Sequence, residues 1–464
     1  MRAAACGLSD SFKTAPRARP ILGGMTMRKM EARLLDGVRG RVVLPDDAGW
    51  DEARRSWNLS VDQRPAAVVE AASAEDVQAV LRSGLRVAPQ ATGHGSEGLP
   101  DLEGAVLLKT SLLRDVTVDG GVVRAGAGAL AGDVAAAAGE HGLAPVLGLA
   151  PSVGVAGLAL GGGTGWLSRA YGLACNSVRA FEVVLASGER LRIDAEHEPE
   201  LFWALRGGGG RFAVVTALEL EAHPVPEASA GMLAWPAERA GEVLEQFRRW
   251  TWDVPEALGA VFRYLSLPDV DGVPAPLRGR RIVAVIAAHL GTEADGRRLI
   301  EPLRAGTLVD TFGPVGAADL VRVAGDPEQP IPTRGDGFLV RELDVDAIAG
   351  LIDDIDPLGV LELRLLGGAL ARAPRGHGAL AKLDGAFAVF AGGAAVDASA
   401  RAAIAERLEE LRERLAPWTA PQALLNSSAG GIDPGRVFDA ATGERLRAVR
   451  DAFDPDRRLV SAYA

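Results

Sequence analysis

Three glycine-dense segments form the part of the sequence best suited to binding a large ligand. They are Gly93-His94-Gly95, the run GVAGLALGGGTG from Gly154 to Gly165, and Gly207 to Gly210. Glycine lets backbone amides approach a ligand closely and adopt positive φ, and successive amides in such a conformation form a concave site for pyrophosphate oxygens. Glycines also make ordinary turns. Three clusters within about 120 residues, flanked by apolar strands, favour one large buried ligand over unconnected turns.

The spacing of these glycines does not fit the dinucleotide site of the Rossmann fold. That site requires a strand, the pattern GxGxxG, a helix, and an acidic residue about 20 positions further on. Gly126, Gly128 and Gly132 have the wrong spacing, and no suitable acidic residue follows the run that ends at Gly165. The sequence therefore argues against a nicotinamide-binding Rossmann domain.

Short strands and helices must position the glycine segments. Residues 65–75 predict a strand followed by a helix that has Ser73 as its N-cap and ends at Gly84. The Asp119-Gly120 pair between alternating apolar residues predicts a hairpin. Further strands are expected at 85–93, 105–111 and 212–220, a second hairpin at 178–193, and helices at 130–140 and 199–205. Residues 36–224 are therefore expected to form an α+β unit.

The sequence changes character after residue 224. Strands are expected at 281–290, 361–368 and 385–392, and helices at 294–305 and 399–417. The last of these helices has a continuous apolar face with exposed charge pairs. This pattern predicts a second α+β domain over 225–417, in which an antiparallel sheet carries helices on one side. The remaining segment, 418–464, contains a helix over 442–453.

Composition excludes several classes of function. The chain has 464 residues, of which 48% are hydrophobic, and a net charge of −11. An acidic surface argues against nucleic-acid binding and against binding to anionic membranes. Two cysteines, Cys6 and Cys175, cannot build a disulfide framework or a zinc site, and no metal is expected.

No part of the sequence predicts a membrane segment or a secretory signal. The uncharged stretch from Gly142 to Ser168 is long enough to span a bilayer, but it holds eight glycines and two prolines, so a buried loop is expected. Residues 1–35 are expected to be a disordered extension, and their apolar run is too short for a signal peptide. A cytoplasmic location is therefore expected.

Three segments, in this order, carry a resemblance to a known family. APQATGHGSEGLPDLEGAVLLKTSLL, APSVGVAGLALGGGTGWLSRAYGLACNSV and PELFWALRGGGGRFAVVTALEL together resemble the FAD-binding domain of the vanillyl-alcohol-oxidase type, also called the PCMH type. The branch that the sequence resembles most is that of the berberine-bridge-enzyme-like oxidoreductases. LELRLLGGALAR is similar to the substrate-domain strand of this branch, and LLNSSAG and FDPDRRL are similar to its C-terminal return. The resemblance implies a two-part FAD-binding domain (36–224 with 418–464) and an α+β substrate domain (225–417).

The resemblance also implies which residues hold the FAD. In the family, the histidine of the GH loop is bonded covalently to the flavin, and His94 matches it. A second link through cysteine is common, but Ala150 stands at that position here and Cys175 lies too far along, so one link is expected. Val153 matches a position that influences oxygen access, and valine there favours an oxidase. The implied cofactor-binding residues are Thr92, Gly93, His94, Gly95, Ser96, Pro151, Val153, Gly154, Gly157, Gly161, Gly162, Thr164, Gly165, Asn176, Val178, Gly208 and Val215.

The catalytic residues are less clearly marked. The expected chemistry is hydride transfer from a substrate C–H bond to the flavin, while a base takes the O–H or N–H proton. Glu362 and Arg364 share one face of their predicted strand and are candidates to face the substrate, although a solvated strand face is an equal alternative. The family's C-terminal tyrosine is replaced by Leu424, with Asn426 retained. Tyr264 is a further candidate only because tyrosine is scarce.

These observations favour an FAD-dependent oxidase that acts on an alcohol or amine of a small molecule, such as a sugar or a specialised metabolite, with oxygen as the electron acceptor. Two alternatives stay open. The first is a dehydrogenase that uses another acceptor. The second is a flavin-binding protein that has lost its catalytic groups, as the missing tyrosine would allow.

Overall fold

Three β-sheets organise the chain in the computed structural model, which describes residues 36–271, 273–427 and 432–462. The expected N-terminal extension, 1–35, lies outside the described residues. The strands of the first half are β1 (Arg41–Val43), β2 (Ala67–Glu70), β3 (Arg86–Gln90), β4 (Ala105–Lys109), β5 (Val116–Asp119), β6 (Val122–Gly126), β7 (Leu143–Pro145), β8 (Val178–Val184), β9 (Arg190–Ile193) and β10 (Val214–Pro224). The helices between them are α1 (Trp50–Ala53), α2 (Ala74–Arg82), α3 (Ala131–Gly139), α4 (Val155–Leu160), α5 (Ser168–Tyr171) and α6 (Pro199–Leu205).

The second half alternates longer strands with helices. Its strands are β11 (Ala228–Pro236), β12 (Leu258–Ser266), β13 (Arg281–Leu290), β14 (Val309–Asp310), β15 (Gly313–Val315), β16 (Thr333–Val340), β17 (Val360–Leu365) and β18 (Phe387–Ala394). Its helices are α7 (Ala240–Trp250), α8 (Glu293–Ile300), α9 (Val345–Asp353), α10 (Ala398–Leu415) and α11 (Ala440–Phe453).

Two small sheets carry the glycine segments. The first has the strand order β1-β2-β4-β3, in which β2 and β3 run parallel to β4. The second has the order β5-β6-β10-β8-β9, with β7 paired to β10. The loop that contains His94 leaves the end of β3, so the first sheet fixes where that loop begins.

The third sheet is antiparallel, in the order β14-β11-β13-β12-β17-β18-β16, with β15 paired to β11. Helices cover one of its faces, where Leu361 and Leu363 of β17 share a core with Phe247 of α7. The opposite face meets the first half of the chain, and Val261 of β12 packs there in one cluster with Trp166. A group on that second face is therefore held close to the glycine-rich run.

Polar contacts join the two halves. Arg169 of α5 donates through Nε to the carbonyl oxygen of Leu258, at 2.8 Å, and through Nη1 to that of Leu366. Glu97, beside the His94 loop, accepts hydrogen bonds from Arg334 at 2.6 Å and from Arg401 at 2.7 Å. Leu258, Leu366, Arg334 and Arg401 all belong to the half that contains the third sheet, so these contacts fix that sheet against the glycine segments.

The C-terminal segment returns to the first half. Helix α11 packs against α6, and Val460 donates its amide hydrogen to the carbonyl oxygen of Val87 in β3 at 2.8 Å. On these contacts we propose the division expected from the sequence, with 36–224 and 418–464 in one domain and 225–417 in the other.

The fold class expected from the sequence, α+β with an antiparallel sheet flanked by helices, is confirmed. Ser73 caps α2 by accepting a hydrogen bond from the amide of Asp76, as predicted, and Gly120 and Gly121 turn the first hairpin with φ values of 52° and 86°. Elements β11, β12, β16, α7 and α9 were not predicted from the sequence. No helix in the described part of the chain is both long and apolar enough to cross a bilayer.

Candidate functional site

The loop that follows β3 presents four consecutive backbone donors. The amides of Thr92, Gly93, His94 and Gly95 donate to no acceptor among the described residues. Gly93 has φ of 84°, and a Cβ there would lie 2.7 Å from that of Ser56, so only glycine fits without strain. The loop is held from below because Ser96 donates from Oγ to Ser56 Oγ at 3.0 Å. Four free amides in one turn suit the oxygens of a pyrophosphate.

His94 is oriented toward the second glycine segment. Its Nε2 lies 3.1 Å from the carbonyl oxygen of Ser152 and 3.3 Å from Ser152 Oγ. The ring stacks on the indole of Trp57, with centroids 3.9 Å apart and planes at 20°. Burial lowers the pKa of the His94 imidazole to about 4, so the ring is neutral at pH 7 and keeps a nucleophilic nitrogen. Sequence reasoning missed Trp57, which lies far upstream of the motif.

The second segment faces the His94 loop. A Cβ at Gly154 would lie 3.2 Å from that of Ala91, so the two backbones are in contact. The amides of Gly154, Ala156 and Gly157 at the start of α4 have no acceptor in the described part of the chain. Free donors thus converge from two segments on the same place. This arrangement fits a bound pyrophosphate and, with His94 beside it, an FAD.

The remaining glycines allow close contact between backbones and side chains. A Cβ at Gly161 would lie 2.4 Å from Asn426 Nδ2, and one at Gly162 would lie 2.6 Å from Leu380 Cδ2. A Cβ at Gly165 would lie 1.6 Å from the carbonyl oxygen of Leu147, so no side chain fits there. Asn426 also accepts a hydrogen bond from the amide of Gly163 at 2.8 Å, so it anchors the glycine run.

The third glycine segment packs onto the second. Gly209 donates its amide hydrogen to the carbonyl oxygen of Leu160 at 2.9 Å. A Cβ at Gly208 would lie 2.3 Å from the carbonyl oxygen of Ala204. The structure therefore brings all three glycine segments together, as a shared ligand requires.

Several other expected cofactor residues have structural partners. Asn176 accepts a hydrogen bond from the amide of Gly378 at 2.9 Å and donates to the carbonyl oxygens of Leu380 and Ala381, both at 3.2 Å. Val178 and Val215 are buried in β8 and β10, and Pro151 and Val153 flank Ser152 beside His94. Cys175 is fully buried, and burial raises the pKa of its thiol to about 12, which suppresses the nucleophilic thiolate.

A buried charge network lies on the face of the third sheet that meets the first half. Glu362 of β17 is 4% exposed and accepts hydrogen bonds from Arg263 Nε at 2.8 Å and Arg364 Nη2 at 2.7 Å. These two guanidinium groups lower the pKa of the Glu362 carboxyl to about 2 against the opposing effect of burial. Arg263 also pairs with Asp326 at 2.7 Å. Glu362 is therefore ionised at neutral pH.

Arg364 connects this network to the glycine run. Its Nη1 donates to Thr164 Oγ1 at 2.8 Å, and its side chain is 24% exposed, compared with 5% for that of Glu362. Glu362 and Arg364 do share one face of β17, as the sequence analysis expected. Tyr264 lies on the other face of the sheet, fully buried in the helix-covered core, so the structure does not bring it to the site.

Comparisons with known proteins agree with this geometry. A family described as FAD binding domain matches residues 65–194. The (R)-6-hydroxynicotine oxidase of Paenarthrobacter nicotinovorans is 29% identical over 457 residues, which cover 92% of this chain and 96% of that protein. The glucooligosaccharide oxidase of Sarocladium strictum is 35% identical over 190 residues, which cover 39% of this chain and 38% of that protein.

Solved structures share the fold. The 6-hydroxy-D-nicotine oxidase of Arthrobacter nicotinovorans superposes with a TM-score of 0.79 at 26% identity, over 91% of this chain and 96% of that one. The berberine-bridge-enzyme-like protein 1 of Physcomitrella patens has a TM-score of 0.81 at 18% identity, over 92% and 97% of the two chains.

Proposed function

Because the chain is an FAD-linked oxidoreductase with an FAD-binding domain of the vanillyl-alcohol-oxidase (PCMH) type, we propose that it is an oxidase of a small-molecule alcohol or amine with oxygen as the electron acceptor. The observation that carries the proposal is the convergence of free amides from Thr92–Gly95 and Gly154–Gly157 beside a neutral His94.

The loop amides would hold the pyrophosphate of FAD, and the segment around Ser152 would lie beside the flavin end. FAD, when bound, supplies the hydride acceptor that no amino-acid side chain can provide. The chain contributes a preformed set of backbone donors, which need no reorganisation when the ligand arrives.

His94 would be the single covalent attachment point. Trp57 and Ser152 fix the plane and direction of the imidazole, and the lowered pKa keeps one ring nitrogen unprotonated. Ala150 offers no thiol at the position where relatives carry a second link, and Cys175 is buried as a neutral thiol. The flavin should therefore be retained after denaturation through His94 alone.

On the substrate side, we assign the substrate contact to Arg364 and a positioning role to Glu362. Arg364 is more exposed than Glu362 and Arg263, and its guanidinium is oriented by Glu362 on one side and Thr164 on the other. A carboxyl with a pKa of about 2 is a weak proton acceptor at pH 7, which argues against Glu362 as the base. Asn426, anchored to the glycine run, is the remaining expected residue at this place.

The choice of oxygen as acceptor rests on Val153, beside the His94 loop. The names of two relatives, a hydroxynicotine oxidase and a glucooligosaccharide oxidase, agree with oxidase chemistry and with an amine or sugar substrate. A specialised metabolite fits equally well.

The test combines a spectrum with an acceptor assay. The purified holoprotein is reduced anaerobically with panels of alcohols, sugars and amines while the flavin absorbance is followed. Active compounds are then assayed for hydrogen peroxide release and for dye reduction. The proposal expects bleaching by at least one compound and stoichiometric peroxide in air. Dye reduction without peroxide would show a dehydrogenase, and no bleaching by any compound would favour a flavin-binding protein without catalysis.

A further inference from the structure

Lys109 carries a buried ammonium group. It ends β4, is 7% exposed, and donates from Nζ to the carbonyl oxygen of Arg55 at 2.6 Å and to Gln90 Oε1 at 2.8 Å. Within the described residues, no Asp or Glu lies within ion-pair distance of it. A buried charge without a counter-charge is costly, so its retention calls for a specific partner.

The ammonium is separated from the His94 loop only by the side chain of Gln90. Gln90 is opposite Lys109 in the pairing of β3 with β4. The carboxamide of Gln90 lies 3.1 Å from the position of a Cβ at Gly93. Lys109 therefore contacts the loop through one side chain, and the strand pairing fixes the distance between them.

Lys109 also sets the orientation of Gln90. An ammonium can only donate, so the Gln90 atom that faces it must be the carbonyl oxygen. The amide nitrogen of Gln90, a residue 6% exposed, is then left without an acceptor among the described residues, and so is Trp57 Nε1. Two buried side-chain donors thus stand unpaired beside the four free amides of Thr92–Gly95.

The charges around the ammonium leave it positive at neutral pH. Burial lowers the pKa of Lys109 to about 8, while Glu70 on the adjacent strand β2 raises it. The two groups that its Nζ contacts, Gln90 Oε1 and the carbonyl oxygen of Arg55, carry no net charge. Glu70 makes no ion pair with Lys109 and instead pairs with Arg41 at 3.5 Å, so the Lys109 charge is available to complement an anionic ligand at the loop.

We propose that Lys109, acting through Gln90, is the positive group that complements the pyrophosphate of FAD at the Thr92–Gly95 loop. The inference rests on the FAD binding stated above and adds a positioning residue from outside the glycine segments. The loop amides supply hydrogen bonds, and Lys109 supplies the charge. A neutral residue at position 109 should weaken FAD binding without affecting ligands that lack phosphate.

The test measures reversible flavin binding. The His94→Ala variant, which cannot form the covalent link, is stripped of flavin and titrated with FAD and with riboflavin, and binding is followed by quenching of flavin fluorescence. Lys109→Met and Lys109→Arg are made in this background, with the exposed Lys382→Met as matched control. If His94→Ala does not fold, the parent chain and its Lys109 variants are produced in riboflavin-depleted cells as flavin-free protein and titrated with 8-demethyl-FAD, which has no methyl carbon for attachment.

We expect Lys109→Met to weaken FAD binding about tenfold or more, because it removes a buried positive charge beside the loop, and to change riboflavin binding less than about twofold. Lys109→Arg should recover most of the FAD affinity, because it keeps the charge, and Lys382→Met should change neither ligand. Equal FAD affinity in Lys109→Met and its parent would overturn the inference about Lys109, while the proposal that the protein binds FAD would stand. Equal losses of affinity for FAD and for riboflavin would also overturn it, because the effect would then not involve the pyrophosphate. Failure of the parent itself to bind either flavin would instead contradict the proposed function.

Discussion

Replacing Glu362 by Gln tests the buried network that orients Arg364. Glu362 accepts hydrogen bonds from Nε and Nη2 of both Arg263 and Arg364, at 2.5 to 3.1 Å, and is 4% exposed. Gln is nearly isosteric, but it removes the negative charge and turns an NH₂ group toward guanidinium groups that can only donate. Removing one partner of a buried ion pair costs about 3–5 kcal/mol. We take the lower end of this range, because Arg364 loses its carboxylate while Arg263 keeps its pair with Asp326.

The cost should appear as local opening of the third sheet. Since about 1.4 kcal/mol corresponds to a factor of ten, about 3 kcal/mol predicts exchange of the β12 and β17 amides roughly a hundredfold faster. Hydrogen–deuterium exchange with mass spectrometry measures this rate in the folded protein, peptide by peptide.

A matched control separates burial from charge pairing. Glu245 of α7 is also shared by two arginines, Arg248 and Arg249, which lower the pKa of its carboxyl to about 2, but its side chain is 29% exposed, compared with 5% for that of Glu362. Glu245→Gln should leave the exchange rates unchanged, because exposed ion pairs contribute little. An increase below about tenfold in Glu362→Gln, or equal increases in the two variants, would contradict a stabilising role of the buried Glu362 ion pairs.

Three further predictions concern the cofactor loop. Gly93→Ala should lower the flavin content of the purified protein, measured as the ratio of visible to ultraviolet absorbance, because its φ of 84° and the 2.7 Å contact with Ser56 exclude a side chain; full flavin content would contradict this. In the flavin-free protein, the depressed pKa of His94 should make stability fall as the pH drops from 6.5 toward 4, since the unfolded chain binds a proton that the folded chain rejects. Unfolding midpoints across this range should slope less in His94→Gln, and equal slopes would contradict the assignment. Asn426→Ala should loosen the glycine run and accelerate exchange of the Gly163 amide, which loses its acceptor, and unchanged exchange there would count against the anchor.

Local signals in the sequence predicted much of the first half correctly. Ser73 before an acidic turn and the Asp119-Gly120 pair each act through neighbouring backbone, so their effects are visible without tertiary context. The alternation in β17 likewise placed Glu362 and Arg364 on one face, because strand periodicity is independent of the partner strand.

The contacts between distant segments could not be predicted in this way. Trp57 stacks on His94, and Lys109 reaches the loop only because β3 and β4 pair in a particular register. Tyr264 illustrates the same limit. Tyrosines are scarce in this sequence, which suggested a role for Tyr264 at the site. Tyr264 directly follows Arg263 in β12, so the two side chains lie on opposite faces of the sheet and Tyr264 packs in the helix-covered core.

The sequence alone also did not separate the different roles of the glycines. Gly93 and Gly154 lie where free amides converge, as the pattern suggested. Gly161, Gly162 and Gly165 are required because Asn426, Leu380 and the backbone of Leu147 pack onto them. Only the folded chain distinguishes glycines that leave room for a ligand from those that leave room for the protein itself.

The most direct test of the account is the chemical state of His94 in the purified protein. Acid-precipitated protein is digested, and the peptide that contains His94 is identified by mass spectrometry. We expect this peptide to carry the added mass of FAD and the His94→Ala protein to release all its flavin into the acid supernatant. An unmodified His94 peptide, with all flavin in the supernatant of the parent protein, would contradict it.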